Sequence, residues 1–310
     1  MLEHLWQTWA QGPAQALGYT LLHALWQGAL VSLALALILR LGGVDDARTR
    51  YRLSLLALAG LLIWSGVTLY WYWPAWAAAP LSNGPVAAEQ IITLGPAPLW
   101  APAPETSWQQ LAQAILPWLS LIWGLGVLAL GLRWLGSLYY VHRLRTQKVR
   151  PLATVWHHRL QQLMLDLGIQ RPVQLLESER VRSPLTLGHF KPVILLPAGI
   201  VAGLTPAQVE AILAHELAHI QRYDFLVNLL VSLAETIFFF HPAIWWLGQT
   251  IRESREHCCD DMAVSLCGDL RTYVTALADV QAHSLQAPGL TLAFAGRKQA
   301  LLQRIKRLTG

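Results

Sequence analysis

The chain has 310 residues, of which 54% are hydrophobic and only 13% are charged, and fifteen of them are Trp. A composition so apolar and so poor in charge excludes an ordinary soluble domain and predicts membrane spans. The net charge of +5 does not indicate a nucleic-acid-binding protein, because the basic residues lie next to apolar runs. Three Cys, two of them adjacent, do not make a disulfide framework.

Three apolar runs in the first half of the chain are long enough to cross a bilayer. They extend over residues 16–39, 53–73 and 106–132. The second run ends in a cluster of Tyr and Trp, which is typical of a membrane interface. The segment 74–107 is rich in Pro and Ala, so we expect an extended, weakly structured loop there.

The basic residues predict the orientation of these spans. Up to residue 150, every Lys and Arg lies within 40–52 or 133–150. Since basic loops stay in the cytoplasm, the N-terminus and the loop 74–107 are expected outside. The chain from about residue 140 onward is then expected to begin in the cytoplasm.

Residues 151–224 are the part that most resembles a soluble domain. An apolar stripe ending at Gly168 predicts a helix, and three strand-like pieces follow at 172–176, 184–187 and 192–196. A Pro at the start of each piece predicts edge positions in a sheet. The piece from Ser183 to Gly188 is a candidate for binding extended substrate along an exposed edge, with an ordinary hairpin as the alternative.

The segment from His215 to His219 reads His-Glu-x-x-His inside a predicted helix. Thr205 as N-cap, Pro206 in the first helical position and Gln208 as the partner of a capping box predict where this helix starts. Positions i and i+4 of a helix lie on one face, so both imidazoles can bind one Zn²⁺. Glu216 then lies beside the metal as a general base.

A zinc site with two His needs a third protein ligand. Three acidic residues that could supply it follow the next apolar run. That run, 225–250, is interrupted by His241-Pro242, and a residue before Pro avoids helical geometry. We therefore predict a re-entrant hairpin over 225–250 that turns there and returns the chain to the cytoplasmic side. The candidates that it brings back are Glu253, Glu256 and Asp260.

Other polar residues near the motif have predicted supporting roles. Asp224 and Asp260 are candidates for orienting the zinc-binding imidazoles. An oxyanion also needs a donor, and the sequence does not choose among Tyr223, Arg255 and His257. The tail contains a predicted helix over 269–285 and a basic end suited to the anionic inner face of the membrane.

Several motifs together resemble those of the BlaR/MecR-type integral-membrane metallopeptidases. They are the segments 215–224 with Asn228, Phe240-His241-Pro242, the segment 255–260 and the segment 22–28 in the first span. The resemblance covers most of the chain and implies a gluzincin-like site, HExxH plus Glu, with His215, His219 and Glu256 as zinc ligands, Glu216 as catalytic base and Asp260 in support. The Glu-x-x-x-Asp spacing is also similar to that of HtpX-type membrane proteases, and Glu253 fits it less well.

The expected fold is a predominantly α membrane protein with three transmembrane helices, the re-entrant hairpin and a small α+β cytoplasmic zinc-protease domain. The expected domains are 1–150, 151–268 and 269–310. The resemblance implies a Zn²⁺ endopeptidase of the bacterial cytoplasmic membrane that acts in signal transduction, as an antirepressor, on a cytoplasmic or membrane-proximal protein such as a transcriptional repressor. An HtpX-like quality-control protease and a non-catalytic transducer are the alternatives, and an intact Glu216 argues against the latter.

Overall fold

The computed structural model describes residues 6, 9–10, 12–77, 107–285 and 291–310. The described chain is mostly helical, with a small sheet in its second half. The helices are α1 (Pro13–Leu41), α2 (Ala47–Ala77), α3 (Ser107–Thr146), α4 (Thr154–Asp166), α5 (Pro206–Gln221), α6 (Asp224–Ile237), α7 (Pro242–Cys267), α8 (Leu270–Leu285) and α9 (Thr291–Thr309). The strands are β1 (Val149–Pro151), β2 (Gln174–Ser178), β3 (Leu185–Leu187) and β4 (Val193–Pro197), and a short 3₁₀ helix covers Ile200–Gly203.

The first three helices are the predicted membrane spans. Each contains a window with a mean hydropathy of 1.9 to 2.0 and a length sufficient to cross a bilayer. α3 continues to Thr146, well past the predicted end at residue 132, because its apolar side chains continue through Leu135 and Tyr139. The predicted loop 74–107 lies almost entirely outside the described residues.

The four strands form one sheet in the order β1-β2-β4-β3. β2 and β4 are parallel, while β1 and β3 pair antiparallel with them at the two edges. The edge position predicted for β3 is confirmed, but the same prediction for β2 and β4 is wrong. Pro192 lies just before β4, whose register with β2 begins at Val193, so its missing N–H interrupts no bond of the ladder. Its carbonyl accepts a hydrogen bond from the N–H of Gln174.

Helices α6 and α7 form a hairpin whose turn, residues 238–241, packs against α1 and α3. The Ala243 N–H donates to Nδ1 of His241, so Nε2 carries the proton and donates to the carbonyl of Ala24 at 2.8 Å. From α3, the Trp123 indole donates to the carbonyl of Ile237, also at 2.8 Å. The turn is thus fixed between two spanning helices, and its entry into a bilayer stays a prediction.

Two Gly residues leave space for this turn. A Cβ at Gly28 of α1 would overlap the His241 ring, and a Cβ at Gly126 of α3 would meet the Phe239 ring at 2.5 Å. The close approach of the hairpin therefore depends on the absence of side chains at these two positions.

Helix α5 lies at the centre of the second half of the chain. The predicted capping box starts it, with Thr205 and Gln208 each accepting a bond from the other's backbone N–H. Leu213 and Leu217 are fully buried in a core shared with α4, α8 and the sheet. The opposite face of the helix carries the His-Glu-x-x-His motif toward α7 and β3.

Candidate metal centre

The two His of the motif meet a carboxylate from α7. Nε2 of His215 lies 3.6 Å from one carboxylate oxygen of Glu256, and Nε2 of His219 lies 3.9 Å from the other. One donor atom from each of the three residues lies within 4.8 Å of the other two. Glu253, the second-ranked candidate, is exposed and accepts a bond from Gln249 of its own helix.

Hydrogen bonds fix the tautomer of both imidazoles. His219 donates from Nδ1 to Asp224, 2.8 Å away. Tyr273 donates its hydroxyl proton to Asp260 at 2.7 Å, so its oxygen accepts from Nδ1 of His215 at 2.9 Å. In the neutral form of each ring, Nε2 is therefore the nitrogen without a proton, and both Nε2 atoms face Glu256.

This donor set suits zinc. Two neutral imidazole nitrogens and one carboxylate are a common three-ligand set for catalytic Zn²⁺, and hydrogen-bonded Nδ1 atoms usually accompany it. The geometry brings together all three residues that the sequence predicted as ligands, while their role as ligands stays a prediction.

Asp260 acts on His215 mainly through Tyr273. Its carboxylate is 0% exposed and lies 3.5 Å from Nδ1 of His215, farther than the tyrosine hydroxyl. Arg304 of α9 binds both oxygens of Asp260, through Nε at 2.9 Å and through a second nitrogen. The same guanidinium lies 3.6 Å from Glu256.

Sequence reasoning missed Tyr273 and Arg304. Tyr273 is fully buried on a helix that reads as an ordinary amphipathic one, and Arg304 belongs to the basic tail. We expected that tail to face the membrane, yet Arg304 pairs with Asp260 and Arg307 pairs with Asp261 at 2.6 Å. No local sequence pattern predicts these ion pairs, because the two partners of each lie more than forty residues apart.

Neighbouring positive charges keep the carboxylate of Glu256 ionised. Burial on its own would raise the pKa of Glu256, but the imidazoles of His215 and His219 in their protonated form, together with the Arg304 guanidinium, hold that pKa well below its usual value. Burial also opposes ionisation of Asp260, and Arg304 outweighs it, so the pKa of Asp260 is lowered as well. Both carboxylates are therefore anionic at neutral pH.

A buried thiol lies behind His219. Sγ of Cys259 is 3.3 Å from Nδ1 of His219 and donates to Asp224 at 3.4 Å. Burial raises the pKa of Cys259 well above its usual value, and Asp224 adds to the rise. The thiol is therefore an uncharged donor that helps to fix Asp224.

Glu216 contacts the edge strand of the sheet. Its buried carboxylate accepts a hydrogen bond of 2.6 Å from the hydroxyl of Thr186 on β3. Both residues line a cleft of about 910 Å³ that also contains His215, His219, Glu256 and Tyr273. Among the described residues no strand pairs with the outer edge of β3, and this edge lies beside the candidate base and within the same cleft.

Of the three oxyanion candidates, Arg255 is the one that lines this cleft. The Tyr223 ring stacks under Arg171 at 4.2 Å, and the His257 side chain is not among the residues that line the cleft. Arg255 donates to Glu256 at 3.1 Å and to Oδ1 of Asn228 at 3.3 Å.

Asn228 is a further polar residue of the cleft wall. It lies one helical turn after Asp224 on α6. Since an Arg can only donate, the oxygen of the Asn228 amide faces Arg255, and the amide nitrogen keeps its two protons for another acceptor.

Comparison with protein families gives a match over most of the chain. The family model described as BlaR1 peptidase M56 matches residues 16–308. The match includes the three spans, the hairpin, the sheet and the candidate metal centre.

Individual relatives match shorter segments. The regulatory protein BlaR1 of Bacillus licheniformis is 30% identical over 95 residues, which are 31% of this chain and 16% of the relative. BlaR1 of Staphylococcus aureus is 20% identical over 190 residues, covering 60% of this chain and 32% of the relative. The protease HtpX homolog 2 of Methanosarcina acetivorans is 34% identical over 86 residues, 27% of this chain and 29% of that protein. In each case the matched segment spans less than a third of the relative.

Proposed function

The chain belongs to the BlaR1 peptidase M56 family, and from that premise we propose that it is a zinc endopeptidase of the bacterial cytoplasmic membrane. One observation carries the proposal. Donor atoms of His215, His219 and Glu256 converge within 4.8 Å in a cleft that also holds Glu216 and the free edge of β3. We propose the first three residues as the zinc ligands and Glu216 as the general base.

Zinc in this position would polarise a peptide carbonyl and acidify an attacking water. Glu216 accepts the proton of that water and passes it to the leaving amine. Thr186 holds one carboxylate oxygen of Glu216, so the other oxygen is free to face the reacting water. Asp224 and Tyr273 keep both imidazoles in the tautomer that presents Nε2.

The substrate is proposed to bind as an added strand along β3. An extended peptide forms main-chain hydrogen bonds with an exposed sheet edge, and β3 is such an edge beside the candidate base. On the opposite wall, the amide nitrogen of Asn228 and the guanidinium of Arg255 are donors for a substrate carbonyl, where they would stabilise negative charge on its oxygen.

We propose that the cleft opens to the cytoplasm and that the α6–α7 hairpin enters the bilayer. His241 in the hairpin turn is bonded to Ala24, and Ile237 at the end of α6 is bonded to Trp123. Ala24 and Trp123 both belong to spanning helices. α7 then runs from this turn to Glu256 without interruption. A re-entrant hairpin of this kind supports a zinc site at the cytoplasmic end of the spans.

The proposed role is signal transduction by cleavage of a cytoplasmic or membrane-proximal protein, with a transcriptional repressor as the first candidate substrate. The matches to proteins named regulatory protein BlaR1 and methicillin resistance mecR1 protein favour this role. The match to a protease HtpX homolog favours a second role, quality control of membrane proteins. The third candidate role is that of a signal transducer without catalysis. The presence of Glu216 between His215 and His219 argues against this role.

Labelling of new protein N-termini in cells distinguishes these roles. Cells that express the wild-type protein are compared with cells that express Glu216→Gln. Cleavage sites confined to one or a few proteins, including a repressor, would support signalling, whereas many sites in unrelated membrane proteins would support quality control. Identical sets of N-termini, with both proteins present in the membrane in equal amounts, would contradict the peptidase proposal.

A further inference from the structure

The loop from Gly188 to Lys191, which follows β3, carries a large apolar side chain that the protein does not bury. Phe190 is 86% exposed. Neighbouring residues of the loop are fixed by several contacts, so this exposure belongs to a defined conformation.

The loop is attached to the end of a membrane-spanning helix. Arg145, in the last turn of α3, donates to the carbonyl of Lys191 at 2.9 Å. Gly188 has a φ of +87°, and a Cβ there would meet the Arg145 guanidinium at 3.2 Å. The absence of a side chain at Gly188 therefore lets α3 and the loop pack closely.

The loop is also attached to the start of the hairpin. Arg171 donates to the carbonyl of His189 at 3.0 Å and to that of Ile220 at 2.6 Å, and it stacks on the ring of Tyr223. The His189 and Tyr223 rings are 5.3 Å apart. The loop thus lies between the end of a spanning helix and Tyr223, the residue that directly precedes α6.

Exposed apolar side chains continue from this loop along α6. Leu226, Leu230 and Leu233 are exposed at spacings of four and three residues, which places them on one helical face. On α3, the exposed Tyr139 and Tyr140 precede the basic end of the helix by about one turn. Aromatic side chains followed by basic ones are typical of a membrane surface.

We propose that the loop 188–191 is a lipid-binding element that inserts Phe190 into the cytoplasmic surface of the bilayer. Two exposed basic side chains suit anionic headgroups, Lys191 in the loop and Arg143 in the last turn of α3. A bilayer is the occupant that the attachments favour, because both elements that hold the loop lead into the membrane-spanning part. β3 ends at Leu187, so one end of the cleft then lies at the lipid surface.

Photocrosslinking in vesicles tests this proposal. p-Benzoylphenylalanine replaces Phe190, Leu165 or Leu230, one position at a time, and the full chain is reconstituted in phosphatidylethanolamine and phosphatidylglycerol. Leu165 is the matched control, because it is 80% exposed on α4. We expect lipid adducts at 190 and 230 to exceed those at 165 by about tenfold, given the preference of apolar side chains for lipid over water.

Lipid adducts at 190 no more abundant than at 165 would overturn the proposal, as would their absence at both 190 and 230. Crosslinking in whole cells adds a further outcome. A protein adduct at 190 that replaces the lipid adduct would show that a partner protein covers the loop. Crosslinking to lipid does not require catalysis, so these results do not depend on whether the chain is a peptidase.

Discussion

Glu216 is oriented by a neighbour that the motif itself does not include. The helix sets it one residue from His215, but the Thr186 hydroxyl, from a different secondary-structure element, sets the direction of its carboxylate. A general base must be within reach of the proton that it accepts, so this orientation matters as much as the identity of the residue.

Glu216→Gln should lower the rate of peptide cleavage by about 10²–10⁴-fold, because a neutral amide cannot accept the proton of the attacking water. Zinc content and melting temperature should stay at the wild-type values, since the side chain keeps its size and can still accept from Thr186. Cleavage of the same substrate, compared at equal zinc content, checks this. Wild-type cleavage by the variant would remove Glu216 from the mechanism.

Two variants, Glu256→Ala and Glu253→Ala, test which of the two glutamates of α7 is the third zinc ligand. Removing Glu256 leaves two imidazoles for the metal, so zinc affinity should fall by more than the ~10–100-fold typical of losing an outer hydrogen bond. Glu253→Ala should keep the wild-type affinity, because Glu253 contacts only Gln249 among the bonds described for it. Competition with a chromogenic chelator measures both affinities, and equal values in the two variants would reject Glu256 as a ligand.

At the scale of elements, the centre is assembled from helices that come from distant parts of the chain. α5 supplies both His, α7 supplies Glu256, α8 supplies Tyr273 and α9 supplies Arg304. The region after residue 268, which the sequence suggested as a separate tail, therefore contributes two of the contacts behind the candidate ligands. The domain boundaries at residues 150 and 268 stay predictions.

Arg304→Met should destabilise the protein by about 3–5 kcal/mol, because it leaves the buried carboxylate of Asp260 without its ionic partner. The guanidinium is largely buried, so solvent screens this pair little. Lys306→Met is the matched control, since Lys306 is an exposed basic residue of the same helix. Thermal unfolding should show a clearly lower melting temperature for Arg304→Met only, and equal temperatures would mean that α9 does not hold Asp260.

Gly28→Ala tests the packing of the hairpin turn. The added methyl group would overlap the His241 ring, and overpacking of this kind costs about 1–3 kcal/mol. Gly60→Ala in α2 is the control, because nothing lies within 4 Å of a Cβ there, and it should be neutral or slightly stabilising. A melting temperature that falls in the control as much as in Gly28→Ala would argue against a tight turn against α1.

For the whole molecule, the sequence predicted what local patterns determine. Hydropathy located the three spans, the capping box located the start of α5, and the helix-disfavoured residue before Pro242 located the turn. Long-range contacts could not be predicted. Arg304 meets Asp260 across 44 residues, and β1 is three residues long with no strand-like pattern.

The structure adds an argument about topology that the sequence did not contain. Tyr51, in the first helical turns of α2, donates to Asp224 at 3.4 Å, and its ring lies under Arg222. Arg145, at the far end of α3, binds the loop after β3. The metal centre therefore lies at the same end of the spans as the basic segments 40–52 and 133–150.

Cysteines placed one at a time at residues 90 and 150 should consequently react differently with an impermeant thiol reagent added to intact cells. Residue 90 should be labelled from outside, and residue 150 only after the membrane is opened, because basic segments stay on the cytoplasmic side. Cys258 and Cys259 are buried but Cys267 is partly exposed, so the unsubstituted protein is needed to measure the background from native thiols. The reverse labelling pattern would place the metal centre outside the cell and exclude every cytoplasmic substrate, since the centre and the basic segments are fixed at one end of the spans.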